Sequence, residues 1–196
     1  MKGQAAGVND REVLARAFAE TIRLHGQVAV DRADEIVRAA QVIGQAIAAG
    51  GKVLAFGNGG SATDAQHLAE ELVGRFARER RAVPVIALTA DASILTAVGN
   101  DYGFDAVFVR QVEALGRPGD VAVGITTSGA SRNVNLALER ARAQGLVTIG
   151  LTGRDGGATA ALVDVHVNVP GATSARVQEV QRTILHVICE LVERDL

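Results

Sequence analysis

Hydrophobic positions change their period once along this chain. Over residues 11–25 and again over 31–49 they recur at three-and-four spacing (Val13, Leu14, Phe18, Ile22; then Ile36, Val37, Val42, Ile43, Ile47), which predicts two amphipathic helices. Gly50-Gly51 supplies the stop for the second. Beyond it, short runs of Val, Ile and Leu at 52–56, 83–88, 121–125, 147–151 and 165–169 alternate with helix-like segments. These runs are continuous in hydrophobicity, so both faces of each strand should be buried, as in a parallel sheet between helical layers. The pattern predicts a doubly wound α/β fold preceded by N-terminal helices. A last helix over about 174–194 carries apolar residues at 177, 180, 184, 185, 187, 188, 191 and 192, more than one packed face requires. The N-terminal helices should cover part of this width, and a symmetric partner the rest.

Bulk properties narrow the function. With 196 residues and 48% hydrophobic content, the chain is long enough for one well-buried core, and residues 1–196 read as a single domain. A net charge of −2 without a basic stripe argues against nucleic acid and anionic membrane as partners. With no Trp and one Tyr, stacking platforms for bases are not apparent. The single cysteine, Cys189, allows no intramolecular disulfide and reads as a small core residue. No apolar run has the length of a membrane span and no signal-peptide pattern opens the chain, so a soluble, cytoplasmic protein is expected.

The stretch from Phe56 to Arg75 concentrates the candidate chemistry. It reads as strand, glycine turn (Gly57-Asn58-Gly59-Gly60) and helix, with Ser61 as the expected N-cap and free N–H groups facing an anionic ligand. Gly57-x-Gly59-x-x-Ala62 also matches a dinucleotide fingerprint, but the acidic residue such a site needs about 20 positions later has only Asp91 as a candidate, too far on. His67 stacks on one helix face with both Glu70 and Glu71, and spacing alone does not separate the two carboxylates, nor this set from a solvated pair. Thr126-Thr127-Ser128-Gly129-Ala130-Ser131 places hydroxyls and a glycine at another helix start, a phosphate cradle that needs no lysine. Gly99-Asn100-Asp101-Tyr102-Gly103 reads as a turn whose polar side chains suit sugar hydroxyls. Gln178 and His186 lie about 12 Å apart along the last helix, so an ion shared between them is only just within reach.

Taken together, Gly57-Asn58-Gly59-Gly60-Ser61, Asp64-Ala65-Gln66-His67-x-x-Glu70-Glu71-Leu72, Gly99-Asn100-Asp101, Thr127-Ser128-Gly129 with Ser131, and Arg176-Val177-Gln178-Glu179 with His186 resemble the phosphoheptose isomerases of the sugar-isomerase (SIS) domain superfamily. The resemblance covers nearly the whole chain. It implies a five-stranded, flavodoxin-like parallel sheet, a homotetramer, and conversion of sedoheptulose 7-phosphate to glycero-manno-heptose 7-phosphate. That product would feed ADP- or GDP-heptose for lipopolysaccharide or another cell-surface glycan.

Carried over by position, the resemblance assigns substrate contacts to Asn58, Gly59, Gly60, Ser61, Glu71, Arg75, Asn100, Asp101 and Gln178. Phosphate falls to Thr126, Thr127, Ser128 and Ser131. Glu71 and His186 become the catalytic pair, and His67, Glu71, Gln178 and His186 the ligands of one zinc ion per subunit. Two positions depart from the common pattern: Thr126 stands where many members place Ser, and Ala175 where some place Asp. A non-catalytic branch, whose members bind the bacterial replication initiator, shares the first motif but lacks the metal and catalytic set. A regulator or sugar-phosphate sensor is therefore the alternative that this chain's complete set argues against.

Overall fold

The computed structural model describes residues 9–196. Helices α1 (Asp10–Asp31) and α2 (Ala33–Ala48) lead into β1 (Val53–Gly57), α3 (Gly60–Val73) and β2 (Val85–Ala87). There follow α4 (Ala92–Tyr102), α5 (Val109–Leu115), β3 (Val121–Ile125), α6 (Arg132–Ala143), β4 (Val147–Gly153), β5 (Val165–Val169) and α7 (Ser174–Arg194). The five strands run parallel in the order β2-β1-β3-β4-β5, with Val53 opposite both Val85 and Val121, and Val121 opposite Val147. This is the flavodoxin-like order, whose switch point lies between β1 and β3.

Strand residues are buried on both sides, as their continuous hydrophobicity predicts. Val53 and Ala55 of β1 join a core with α1, α2, α3 and α7, while Leu54 and Phe56 join a second core with α5 and α6. The 83–88 run is the exception: only Val85–Ala87 forms a strand, at the sheet edge, where Ile86 is exposed.

Three helical expectations are corrected. First, α1 does not end near residue 25 but continues to Asp31, because Leu24 and Val28, one turn apart, are both buried in the first core and hold the helix through Gly26. Its forecast apolar residues Leu14, Phe18 and Ile22 instead point outward, at 61%, 63% and 69% exposure. Second, the Gly99–Gly103 turn is the last part of α4. Asp91 caps that helix, accepting N–H bonds from Ser93 (2.9 Å) and Ile94 (3.0 Å), and the stop falls at Gly103, with φ +84°. Third, α7 is covered within its own chain: Val177, Val180, Ile184, Leu185, Ile188 and Val192 are buried, and Val187 is the one that stays exposed. Cys189 is buried among them, and burial first, then the charge of Glu71, pushes its thiol up to about 12, so it is an inert core residue. No described helix is long and apolar enough to cross a membrane.

Candidate active site

At the switch point, β1 and β3 end in adjacent loops, and the loops meet. Asn58 and Asn133 exchange two amide hydrogen bonds of 2.9 Å, joining the turn after β1 to the start of α6. Above them lies a cavity of about 240 Å³ lined by Asn58, Ser61, Ile125, Thr126, Thr127, Ser131, Ser174 and Gln178. The Thr126 hydroxyl is 2.9 Å from that of Ser131 and 3.4 Å from that of Ser128, and Thr127 meets Ser174 at 2.9 Å. Ser131 is the N-cap of α6 by backbone geometry, yet its side chain makes no cap bond. Of the first N–H groups of α6, that of Val134 is taken by Asn133 Oδ1 at 3.0 Å, while those of Arg132 and Asn133 have no side-chain partner and lie beside four hydroxyls, which is the chemistry an oxyanion needs. Gly129, at φ +64°, closes the loop: its carbonyl accepts from the Thr159 backbone and hydroxyl at 3.0 Å, and a Cβ there would collide with the Gly156 carbonyl.

The turn after β1 places the start of α3 on the same cavity. Its N-cap is Gly59, not Ser61, because the left-handed φ of +57° available to glycine turns the chain two residues earlier. Ser61 is consequently a first-turn residue, buried and facing the cavity. At the next residue, Gly60, the far end of the Gln178 side chain lies where a Cβ would be.

From that contact, α3 and α7 run alongside each other in three rungs. Gln178 meets Gly60; Arg182 meets Asp64 at 2.6 and 2.9 Å; His186 meets His67, with their Nε2 atoms 2.8 Å apart. Burial raises the Asp64 carboxyl above its ordinary 3.8, although the Arg182 charge and hydrogen bond pull the other way. In the third rung Glu71 Oε1 lies 3.4 Å from His67 Nε2, while Glu70, largely exposed, reaches the other ring nitrogen, Nδ1, at 3.1 Å. The geometry therefore separates two carboxylates that spacing could not: Glu71 is inside the cluster, and Glu70 orients the ring from outside.

Donor atoms of His67, Glu71 and His186 lie within 4.8 Å of one another, and this cluster can hold a metal ion. Two facing Nε2 atoms are compatible in only two ways, with a proton on one of them or with both lone pairs on a cation. The Glu70 contact favours a proton on His67 Nδ1 and so leaves Nε2 as the acceptor, the usual arrangement around a ligating imidazole. Two imidazoles and a carboxylate suit a borderline-soft divalent ion.

Several expected site residues lie elsewhere. Gln178 is at the cavity, two turns of α7 before His186. Asn100 and Asp101 sit exposed on α4, bonded to each other at 2.8 Å, and Arg75 is exposed just beyond α3; none lines the cavity. Arg176 turns away to α1, donating to the Ala17 carbonyl and the Thr21 hydroxyl at 3.1 Å. Conversely, Ser174 lines the cavity and Asn133 fixes Asn58 beneath it, and neither carries a motif of its own; a polar residue at each helix start was the only signal. A wider cavity of about 490 Å³, between α6 and residues 102–109, brings together no histidine and is mainly apolar, so the chemistry points to the smaller one.

A doubly wound protein with an anion-ready loop at its switch point and an imidazole–carboxylate cluster beside it is a small-ligand protein equipped for proton transfer or metal binding. The SIS domain profile matches residues 18–153. A phosphoheptose isomerase of Geobacter sulfurreducens is 57% identical over 164 residues, covering 84% of this chain and 87% of that protein. Phosphoheptose isomerase structures from Neisseria gonorrhoeae and Francisella tularensis superpose with TM-scores of 0.90 and 0.92 at 46% and 36% identity, each over 95% of this chain and all of the other. The chain belongs to the SIS domain family and, within it, to the phosphoheptose isomerases.

Proposed function

We infer that this protein is an aldose–ketose isomerase that converts sedoheptulose 7-phosphate to glycero-manno-heptose 7-phosphate for heptose synthesis. The observation that carries the mechanism is the convergence of Glu71 and His186 from separate helices in one cluster. Moving the carbonyl from C2 to C1 takes one proton off C1 and delivers one to C2 through an enediol or enediolate. Glu71 acts as the base at carbon, and His186 moves protons between the two oxygens. The hydroxyls of Thr126, Thr127, Ser128 and Ser131, with the α6 N-terminus, hold the phosphate, so that binding at the far end of the open chain orients C1 and C2. Asn58, Gly59, Gly60, Ser61 and Gln178 line the path for the sugar hydroxyls.

Zinc is the ion we assign to His67, Glu71 and His186, where it supplies Lewis-acid polarisation of the carbonyl. Gln178 is its proposed fourth ligand, and this requires its side chain to leave Gly60. Glu71 can serve as both ligand and base, because a carboxylate has two oxygens and the 3.4 Å contact with His67 uses Oε1.

The protein is further read as a cytoplasmic homotetramer. Supporting the assembly are the outward Leu14, Phe18 and Ile22 of α1, together with α4, every residue of which is at least partly exposed. Asn100, Asp101 and Arg75 are then available to complete the site of a neighbouring copy. Incubation with sedoheptulose 7-phosphate in deuterated water should give the aldose with deuterium at C2; no aldose and no label, under a broad metal supply, would overturn the activity. Refolding Asn100→Ala/Asp101→Ala together with His186→Ala should restore some activity through mixed assemblies. No recovery in tetramers proven to be mixed would place each site within one chain.

A further inference from the structure

The histidine cluster lies toward the C-terminal ends of α3 and α7, and the chain closes those ends with a buried ion pair that the mechanism does not use. After α3, residues 75–81 fold back across the last turns of α7, and Glu193 anchors them there. Its Oε1 accepts the Phe76 N–H at 3.2 Å and its Oε2 accepts those of Ala77 and Arg78, both at 2.9 Å; the side chain is 2% exposed. Three successive N–H groups on one carboxylate make an anion nest. A carboxylate in the last turn of a helix meets the negative end of the helix dipole, so α7 itself gives Glu193 no reason to be there. Burial would push its carboxyl up, but the three N–H bonds and the Arg80 charge together hold it below its ordinary value.

Arg80, 6% exposed, lies 3.4 Å from Glu193 and donates to the carbonyls of Glu71 (2.8 Å), Gly74 (2.9 Å) and Arg81 (3.0 Å). It thereby takes up end carbonyls of α3 and pins the main chain of Glu71. The same nest fixes Phe76, whose ring centre is 5.7 Å from that of His186. His186, half-buried and seven residues before Glu193 on the same face of α7, thus packs against two rings, those of His67 and Phe76.

We propose that Glu193 and Arg80 are positioning residues: through Phe76 they set the ring of His186, and through its carbonyl they set Glu71. Neither touches the reacting atoms. A device of this kind should govern the rate of proton transfer and the tightness of the cluster while leaving the hydroxyl-lined cavity alone.

The test compares the full chain with Phe76→Ala, Phe76→Tyr and Glu193→Ala; Phe76→Ala keeps the ion pair and therefore the loop. With sedoheptulose 7-phosphate, Phe76→Ala should lower kcat about ten- to a hundredfold, as a small misplacement of a catalytic group does. KM should stay within about twofold, since binding at the phosphate loop is uniform to ground and transition state. Phe76→Tyr, which restores the ring, should restore kcat. Titration with Co²⁺, followed by visible absorption, should show weaker binding in Phe76→Ala and Glu193→Ala and recovery in Phe76→Tyr. Wild-type kcat and Co²⁺ affinity in Phe76→Ala, or a loss that Tyr does not rescue, would overturn the proposal. The kinetic arm rests on the isomerase reading; if the unaltered protein turns over no substrate, that reading fails, and the Co²⁺ series alone still decides the positioning.

Discussion

The hydroxyl-lined cavity comes largely from consecutive residues of two loops, whereas the histidine cluster comes from two helices whose partners stand 119 positions apart. In the cavity, polar groups satisfy one another, Thr126 with Ser131 inside one loop, and Thr127 with Ser174 and Asn58 with Asn133 between elements. In the cluster, Glu70 and Glu71 meet His67 within α3, but the approach of His186 depends on α3 and α7 lying in register, held by the Asp64–Arg182 pair in the middle and the Glu193–Arg80 pair at the end. Binding and chemistry are therefore built to different tolerances. A change in the cavity should act on one contact, and a change between the helices should act on several.

The largest effect is expected inside the cluster. Glu71→Gln and His186→Ala should each lower kcat by about 10²–10⁴, the range of a lost general acid or base, with KM little altered. Steady-state kinetics check this, and a large rise in KM with kcat preserved would move those residues into the binding half. Next comes the buried pair. Glu193→Ala should destabilise the protein by about 3–5 kcal/mol at pH 7, because Arg80 is left charged and buried. The sign with pH is fixed by the lowered carboxyl: its contribution is complete above the ordinary value of 4.5 and is lost as pH falls through the folded-state value. The gap in denaturant midpoint between Glu193→Ala and the unaltered protein should therefore narrow in acid. A constant gap would mean that packing alone sets it.

Effects in the cavity should be smaller and separable. Ser128→Ala alone should weaken phosphosugar binding by about 1.5–3 kcal/mol, the range for one lost bond to a charged group, with melting unchanged. Isothermal titration decides it, and unaltered affinity would move the phosphate to the Asn58–Ser61 turn. Smallest is Gly60→Ala, where the added methyl meets only the far end of the flexible Gln178 side chain. Overpacking there should cost at most about 1 kcal/mol, at the low end for added core volume, read as a small shift in denaturant midpoint. A loss of several kcal/mol would show that this rung, too, carries the helix register.

The same division explains what was readable from sequence. β3 and β5 fall at the forecast residues, since a short Val-rich run between turn residues needs no tertiary information. The glycine turn and the hydroxyl loop were legible for a similar reason. Missed were Arg182, Glu193, Arg80 and Phe76, whose meaning appears only when α7 lies on α3 and on the loop after it. A hint existed: Gln178, Arg182 and His186 recur every four residues beside the apolar face of the last helix, a polar seam that has to face something other than core. Turn chemistry misled at Gly99-Asn100-Asp101, where a strong cap at Asp91 carried the helix past residues that usually end one.

Because one helix touches both halves of the site, α3 also acts as a ruler. Ser61 lies at the cavity and His67 and Glu71 at the cluster, which puts about 9–15 Å of helical rise between anion and proton chemistry. On the proposed mechanism, a rigid separation of this kind would measure its substrate: a phosphosugar too short to span it could seat its anion or present its carbonyl, but not both at once. Chain length is then discriminated by the number of residues between two points on a helix, with no wall needed to exclude the shorter molecule.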